Sequence, residues 1–307
     1  MPTTISYGKL NVPLYRTYAR PLDRSMAVPE SGFTGRSNVL FAAEIDVEVF
    51  GDNFLAAYTE GDNRHVVATD SMKNFILRQA LAFEGATLEE LIDLLGRRLL
   101  ARYEVMQAVR VTGRALPFAP ARLPHGELSD VLYRYVPGDY ATASLAFERN
   151  GADIRLTDHE CGWCDLRLLK VTGSAFTRFV RDEYTTLPER GDRPLFIRLD
   201  LHWRYRDVAD MLDRTRGHYI APEQMRDIVQ TVFHEFVSES IQHLVYEIGS
   251  RVLRRCPYLG EVRFAAQNHT PDPVAESEDD PRVKVYSAPF PAFGLIKLRL
   301  AADEHNA

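Results

Sequence analysis

The sequence predicts an α+β chain of two tandem halves, each an antiparallel sheet backed by a pair of helices. Two pairs of segments carry apolar residues at helical spacing, one pair in each half. Strand-like runs stand on both sides of each pair, so an order of two strands, two helices and two strands is stated twice. The halves are read as residues 1–150 and 151–307, with the seam at the polar stretch Glu148-Arg149-Asn150-Gly151.

Each element has its own local reason. Pro13, Pro21, Pro29 and Gly35 predict a short strand and then irregular chain over the first 38 residues. Strand-like runs at 39–58 and 65–68 lead into a first helix at about 70–83. Gly85-Ala86-Thr87 interrupts it, and Thr87 with Glu90 makes a capping-box start for the second helix. Leu91, Leu94, Leu95 and Leu99 form that helix's core stripe, and strands follow at 105–117 and 140–147. The second half repeats the order, with strand-like runs at 166–180 and 195–205. Pro222 suits the first position of a helix, whose stripe is Val229, Val232, Phe233, Phe236 and Val237. Ser238 and Ser240 offer N-caps to the next stripe, Ile241, Leu244, Val245, Ile248 and Val252. A strand at 261–265 and an exposed loop at 270–282 come last. Strands of about 15 residues exceed the usual length. One face lies under helices, which leaves the other for closure into a barrel between subunits.

Composition narrows the function classes. The chain has 307 residues, 45% hydrophobic and 26% charged, enough for a sizeable core. A net charge of −6 without a basic domain argues against a nucleic-acid binder. Apolar runs such as 39–43 are far too short to span a bilayer, so no membrane partner is expected. With no apolar signal core, no lipidation or peroxisomal address and only three cysteines, a reducing cytoplasmic location is expected.

Cys161-Gly162-Trp163-Cys164 has the spacing of a redox or metal pair. A thioredoxin-like motif opens a helix, whereas this one precedes a strand-like run. His159 and Glu160 are adjacent, but a tetrahedral zinc site needs a distant fourth ligand, so a reduced structural pair is expected. His234 and His243 lack helical metal spacing, and no phosphate loop or dinucleotide fingerprint is present.

Four blocks, in order along the chain, resemble the urate oxidase family. They are Tyr7-Gly8-Lys9-Leu10-Asn11-Val12, Val67-Ala68-Thr69-Asp70-Ser71-Met72-Lys73-Asn74, Arg181-Asp182-Glu183-Tyr184-Thr185-Thr186-Leu187 with Asp192-Arg193, and Gly294-Leu295-Ile296-Lys297. The resemblance implies the tunnelling fold, a homotetramer of stacked barrels with active sites between subunits, and no metal or organic cofactor. It also implies oxidation of a small purine-like substrate by O2, with release of H2O2 and, from urate, formation of 5-hydroxyisourate.

Residue roles follow the same resemblance. Phe176 is the stacking wall, with Leu187 and Ile241 apolar around the ring; Arg193 grips one ring edge and Gln242 the other. The planar guanidinium suits paired acceptors on an anion. Taken singly, Phe176 reads as core, Arg193 as a surface charge and Gln242 as an ordinary first-turn residue. Lys9 and Thr69 relay protons, Thr69 and Asn268 hold dioxygen, and Asp70 orients the first helix. One motif departs. Where the family has Asn-Lys-His-Tyr, this chain reads Asn268-His269-Thr270. Either His269 takes the place of the family's relay histidine, or Thr270 stands there and the histidine is lost. The leading expectation is therefore a cofactor-independent oxidase of urate or a close analogue. The alternatives are a diverged relative oxidising another nitrogen heterocycle and a catalytically dead ring-binding homologue.

Overall fold

Four long helices form in the computed structural model, which describes residues 5–23 and 26–302. They are α1 (Thr69–Leu81), α2 (Leu88–Arg102), α3 (Pro222–Glu235) and α4 (Ile241–Arg255). The expected caps are in place. Thr87 Oγ1 accepts from the Glu90 N–H at 3.2 Å, while the Glu90 carboxylate accepts from the Thr87 N–H at 3.0 Å. Ser240 Oγ accepts from the His243 N–H at 3.1 Å, and Pro222 opens α3. Ser238 is not a cap. It is buried, and its carbonyl accepts from the Ala175 N–H at 2.7 Å.

The helix stripes are close to those expected. α4 buries Ile241, Leu244, Val245, Ile248 and Val252. α2 buries Leu91, Leu95 and Leu99 together with Ile92 and Leu100, whereas Leu94 is half-buried. Phe236 turns extended and ends α3, so Phe236 and Val237 leave its stripe and Val237 is exposed. Gly96 in α2 and Gly249 in α4 each lie eight residues past their helix start. A Cβ at Gly96 would run into the Phe147 ring, and one at Gly249 would run into Leu300 and Phe264. Both glycines let a helix settle directly on its sheet.

Eight main strands accompany the helices: β1 (Ser6–Thr17), β2 (Leu40–Phe50), β3 (Ala108–Ala115), β4 (Tyr140–Asn150), β5 (Asp153–Lys170), β6 (Leu195–Tyr205), β7 (Leu259–His269) and β8 (Gly294–Ala301). With the helices they give the predicted ββααββ order twice. Of the described residues, one compact unit holds those up to 26, 33–162 and 207–219; the other holds 27–32, 163–206 and those from 220 onward. In the first unit β1, β2, β3 and β4 pair antiparallel in sequence, and Val47, Val111 and Leu145 form a buried cross-strand row. In the second, β6, β7 and β8 do the same, and Trp203, Val262 and Leu300 align. Burial alternates along β2 and β6, so every second side chain faces away from the buried side.

Several boundaries moved. The run expected as strand over 39–58 stops at Phe50, and Leu55–Thr59 is a short helix; residues 65–68 are not a strand. The strand expected at 166–180 starts instead at Asp153 and ends at Lys170. Within the loop predicted at 270–282, Pro273–Glu276 pairs with Lys284–Tyr286 as a small hairpin. β8 is not among the expected strands, although Ile296, Leu298 and Leu300 alternate with Lys297 and Arg299 at strand spacing. Among the described residues no helix is long and apolar enough to cross a membrane.

Candidate active site

The residues singled out in the sequence fall into two groups, one in each unit. In the first, β1 carries Lys9 and the start of α1 carries Thr69. The Tyr7 hydroxyl, on the same side of β1 as Lys9, accepts from the Val67 N–H at 3.0 Å. This ties the strand to the approach of α1. A Cβ at Gly8 would strike the Val47 carbonyl, which explains the glycine between Tyr7 and Lys9. Directly after Lys9 the pairing with β2 shifts, and Asn11, at φ 55°, donates its N–H to Asp46 Oδ1 at 2.6 Å. Such bulges re-aim neighbouring side chains.

Asp70 is exposed. Its carboxylate accepts from Lys73 Nζ at 2.6 Å and Asn74 Nδ2 at 2.9 Å, so its bonds go to side chains of its own helix. Lys73, by hydrogen bond and charge, holds the Asp70 carboxyl below its usual range, and the charge of Lys9 adds to this. Lys9 thus stands within electrostatic reach of the start of α1. Among the described residues no hydrogen-bond partner holds the Lys9 ammonium or the Thr69 hydroxyl.

In the second unit, residues 170–193 form a loop pinned at its base. Asp192 accepts from the Thr172 hydroxyl at 2.6 Å and the Gly173 N–H at 2.7 Å. Burial opposes ionisation of Asp192, but these bonds, with the N–H groups of Ser174 and Arg193, hold its carboxyl below the usual range. The Arg193 N–H donates to the Ser174 carbonyl at 2.8 Å, and Phe176 and Arg190 exchange two backbone bonds of 2.8 and 3.0 Å. Phe179 lies against Phe176 with centroids 4.9 Å apart and planes 11° apart, which fixes the ring's plane. The Arg193 guanidinium stands over Phe176, 5.3 Å from the centroid.

Arg193 is the least ordinary residue of the group. It is 8% exposed, and its Nε is buried without a hydrogen-bond partner. Burial pulls its pKa below the arginine norm. Among the described residues no carboxylate compensates this charge, and an unpaired buried cation is strongly unfavourable. Its Nη1 donates to Thr270 Oγ1 at 3.3 Å, and Thr270 in turn donates to Asn268 Oδ1 at 3.4 Å. Ile241 is buried at the first residue of α4, Gln242 beside it is exposed, and Leu187 is 39% exposed on the loop.

The structure therefore brings Phe176, Arg193, Asn268 and Thr270 together. His269 does not join them. It pairs with Phe196 across β6 while Asn268 pairs with Ile197, so the two side chains leave opposite faces of β7. The His269 ring lies between Phe196 and Phe293, at 5.6 and 5.3 Å, and its Nε2 meets Gln267 Oε1 at 3.2 Å. Tyr7, Asp192 and Phe179 were not singled out in the sequence. Tyr7 and Asp192 stand inside the segments that resemble the family, which was the available signal; Phe179 had none.

The cysteines are free thiols with separate surroundings. Cys161 Sγ lies 3.5 Å from Met211 Sδ, and Cys164 Sγ lies 3.6 Å from His202 Nε2. Burial raises the Cys161 thiol and pushes that of Cys164 up to about 12, which keeps it protonated at neutral pH. Among the described residues no three His, Cys, Asp or Glu side chains converge as metal ligands.

A family model described as "Uricase" matches residues 159–297. The chain is 46% identical over 271 residues to a uricase of Haloferax volcanii, covering 87% of this chain and 88% of that protein. It is 43% identical over 307 residues to the uric acid degradation bifunctional protein PucL of Bacillus subtilis, covering 99% of this chain but 62% of the longer relative. Among solved structures it is similar to urate oxidase of Bacillus sp. TB-90, with TM-score 0.93 and 40% identity over 97% of this chain and 99% of that one. A uricase from Bacillus fastidious gives TM-score 0.95 at 38% identity, covering 100% of this chain and 96% of that one.

Proposed function

The chain belongs to the uricase family, and on that premise we propose that it oxidises urate with dioxygen, without a bound cofactor. Urate, dioxygen and water give 5-hydroxyisourate and hydrogen peroxide, so the atoms and the two electrons balance. The observation that carries this reading is Arg193, a buried cation with a free Nε, held over an aromatic ring. A flat anionic heterocycle compensates its charge and stacks on Phe176 at once.

The remaining roles complete the site. Gln242 bonds the opposite ring edge, and Ile241 and Leu187 exclude water around it. Lys9 and Thr69 remove protons, and Thr69 with Asn268 holds dioxygen and then peroxide. The ring-binding residues lie in the second unit and the proton-relay residues in the first. The reading joins them between subunits of a homotetramer whose repeats are 1–150 and 151–307. A cytoplasmic enzyme of purine breakdown fits these parts.

The test is oxygen uptake by chelator-treated protein supplied with urate. Steady uptake with one peroxide formed per urate consumed is expected. Urate binding without uptake would leave a ring-binding protein, and neither binding nor uptake would remove the proposal. Thr270, standing where the family has its histidine, favours a second reading in which another nitrogen heterocycle is the better substrate. A panel of purines and pteridines, ranked by kcat/KM, separates the two.

A further inference from the structure

We infer that Thr270 is a positioning residue of this site, whose hydroxyl sets the direction of the Asn268 amide and steadies one arm of Arg193. The inference rests on the reading of the site as one for urate and dioxygen. A guanidinium has only donors, so the 3.3 Å contact from Arg193 Nη1 makes Thr270 Oγ1 an acceptor. Its single proton then goes to Asn268 Oδ1, 3.4 Å away. With its oxygen engaged, the Asn268 amide presents its N–H groups away from Thr270. The chain of bonds runs one way, from guanidinium through hydroxyl to amide oxygen, and delivers Asn268 as a donor. A donor is what a reduced, negatively charged oxygen species requires beside it.

The backbone supports this polarity. Asn268 pairs with Ile197 on one side and Gly294 on the other, near the end of both ladders. Thr270 follows two residues later, and His269 between them turns to Gln267. A histidine ring presents a donor or an acceptor according to its tautomer, whereas a threonine caught by an arginine has one proton and one direction to give it. The chain thereby trades a titratable group for one that orients its neighbour at any working pH.

The experiment uses the full-length chain with the substitutions Thr270→Val, Thr270→Ser, Asn268→Ala and the double Thr270→Val/Asn268→Ala. The readouts are kcat and KM from oxygen uptake with urate, and thermal melting. Loss of orientation in Thr270→Val is expected to lower kcat about tenfold and to raise KM through Arg193. Thr270→Ser restores both. The double variant falls no further in kcat than Asn268→Ala alone, because the hydroxyl acts through that amide. Should Thr270→Val melt early, Thr270→Ala replaces it in the same cycle. A kcat for Thr270→Val within about twofold of the parent, losses that multiply in the double variant, or a serine as poor as valine each overturns the inference. If the parent chain itself takes up no oxygen with urate, the reading of the site falls and this inference with it. An active parent with an insensitive Thr270 removes the inference alone.

Discussion

Both helix pairs begin their first helix after an alanine without a side-chain cap, Ala68 or Ala221, and their second after a capping hydroxyl, Thr87 or Ser240. Both bury an aliphatic first residue in the second helix, Leu88 or Ile241, and both place glycine at the same later step, Gly96 or Gly249. The pairs part at two polar positions. Thr69 opens α1 where Pro222 opens α3. Glu89, the second residue of α2, is 1% exposed and accepts from the Tyr219 hydroxyl at 3.2 Å; Gln242, its counterpart in α4, is exposed. Residues that recur answer to packing. Of those that do not recur, Glu89 answers to a core contact with Tyr219, while Thr69 and Gln242 are proposed to answer to a ligand.

That contrast can be broken at several points. The largest effect belongs to the unrepeated residues of the first unit. Lys9→Met and Thr69→Ala are expected to lower kcat about 10²- to 10⁴-fold with unchanged melting, while Pro222→Ala keeps its activity. Steady-state oxygen uptake and calorimetry together check this, and an active Lys9→Met protein would contradict it. Next come the repeated glycines. Gly96→Ala and Gly249→Ala should each cost about 1–3 kcal/mol in urea unfolding, because the added Cβ runs into the buried Phe147 ring in the one and meets Leu300 at 2.5 Å with Phe264 at 3.0 Å in the other. A large asymmetry between them would mean that the halves are packed differently. The caps are worth less. Thr87→Ala and Ser240→Ala should each cost about 1 kcal/mol, since each removes one acceptor from a first-turn N–H while the bond from the backbone N–H of residue 87 to Glu90 survives.

The smallest effect is a slope with pH. Burial raises the Glu89 carboxyl above its usual range. The folded chain then keeps a proton that the unfolded chain releases, so this stability is whole at acid pH and declines as pH rises toward the folded value. Glu89→Gln removes the titration while keeping an acceptor for Tyr219. Its unfolding free energy should therefore fall less than the parent's between about pH 5 and pH 8. An identical slope in both proteins would show that Glu89 is ionised in the fold.

The sequence made the helices, their caps and the doubled order legible because 3.6-residue periodicity and cap chemistry are local. The signal of β8 was just as local and was missed, since Ile296, Leu298 and Leu300 alternate with Lys297 and Arg299 at strand spacing. Among site residues, Arg193 was found inside a motif block and Phe176 through the stacking position that the resemblance implies, and their nearness needed three dimensions to see. The burial of Arg193 had no local signal, because it depends on contacts far along the chain, with Thr270 77 residues away and with the Phe176 ring. The choice between His269 and Thr270 depended on strand register, which a one-residue shift reverses.

The central claim is that Arg193 is a buried cation completed by a flat anion. Anaerobic equilibrium binding of urate, compared between the parent and Arg193→Gln, tests it without any demand on the later chemistry. The expected result is binding by the parent that weakens at least about tenfold in the variant, with thermal stability unchanged or raised. Equal urate affinity in the two proteins would contradict it.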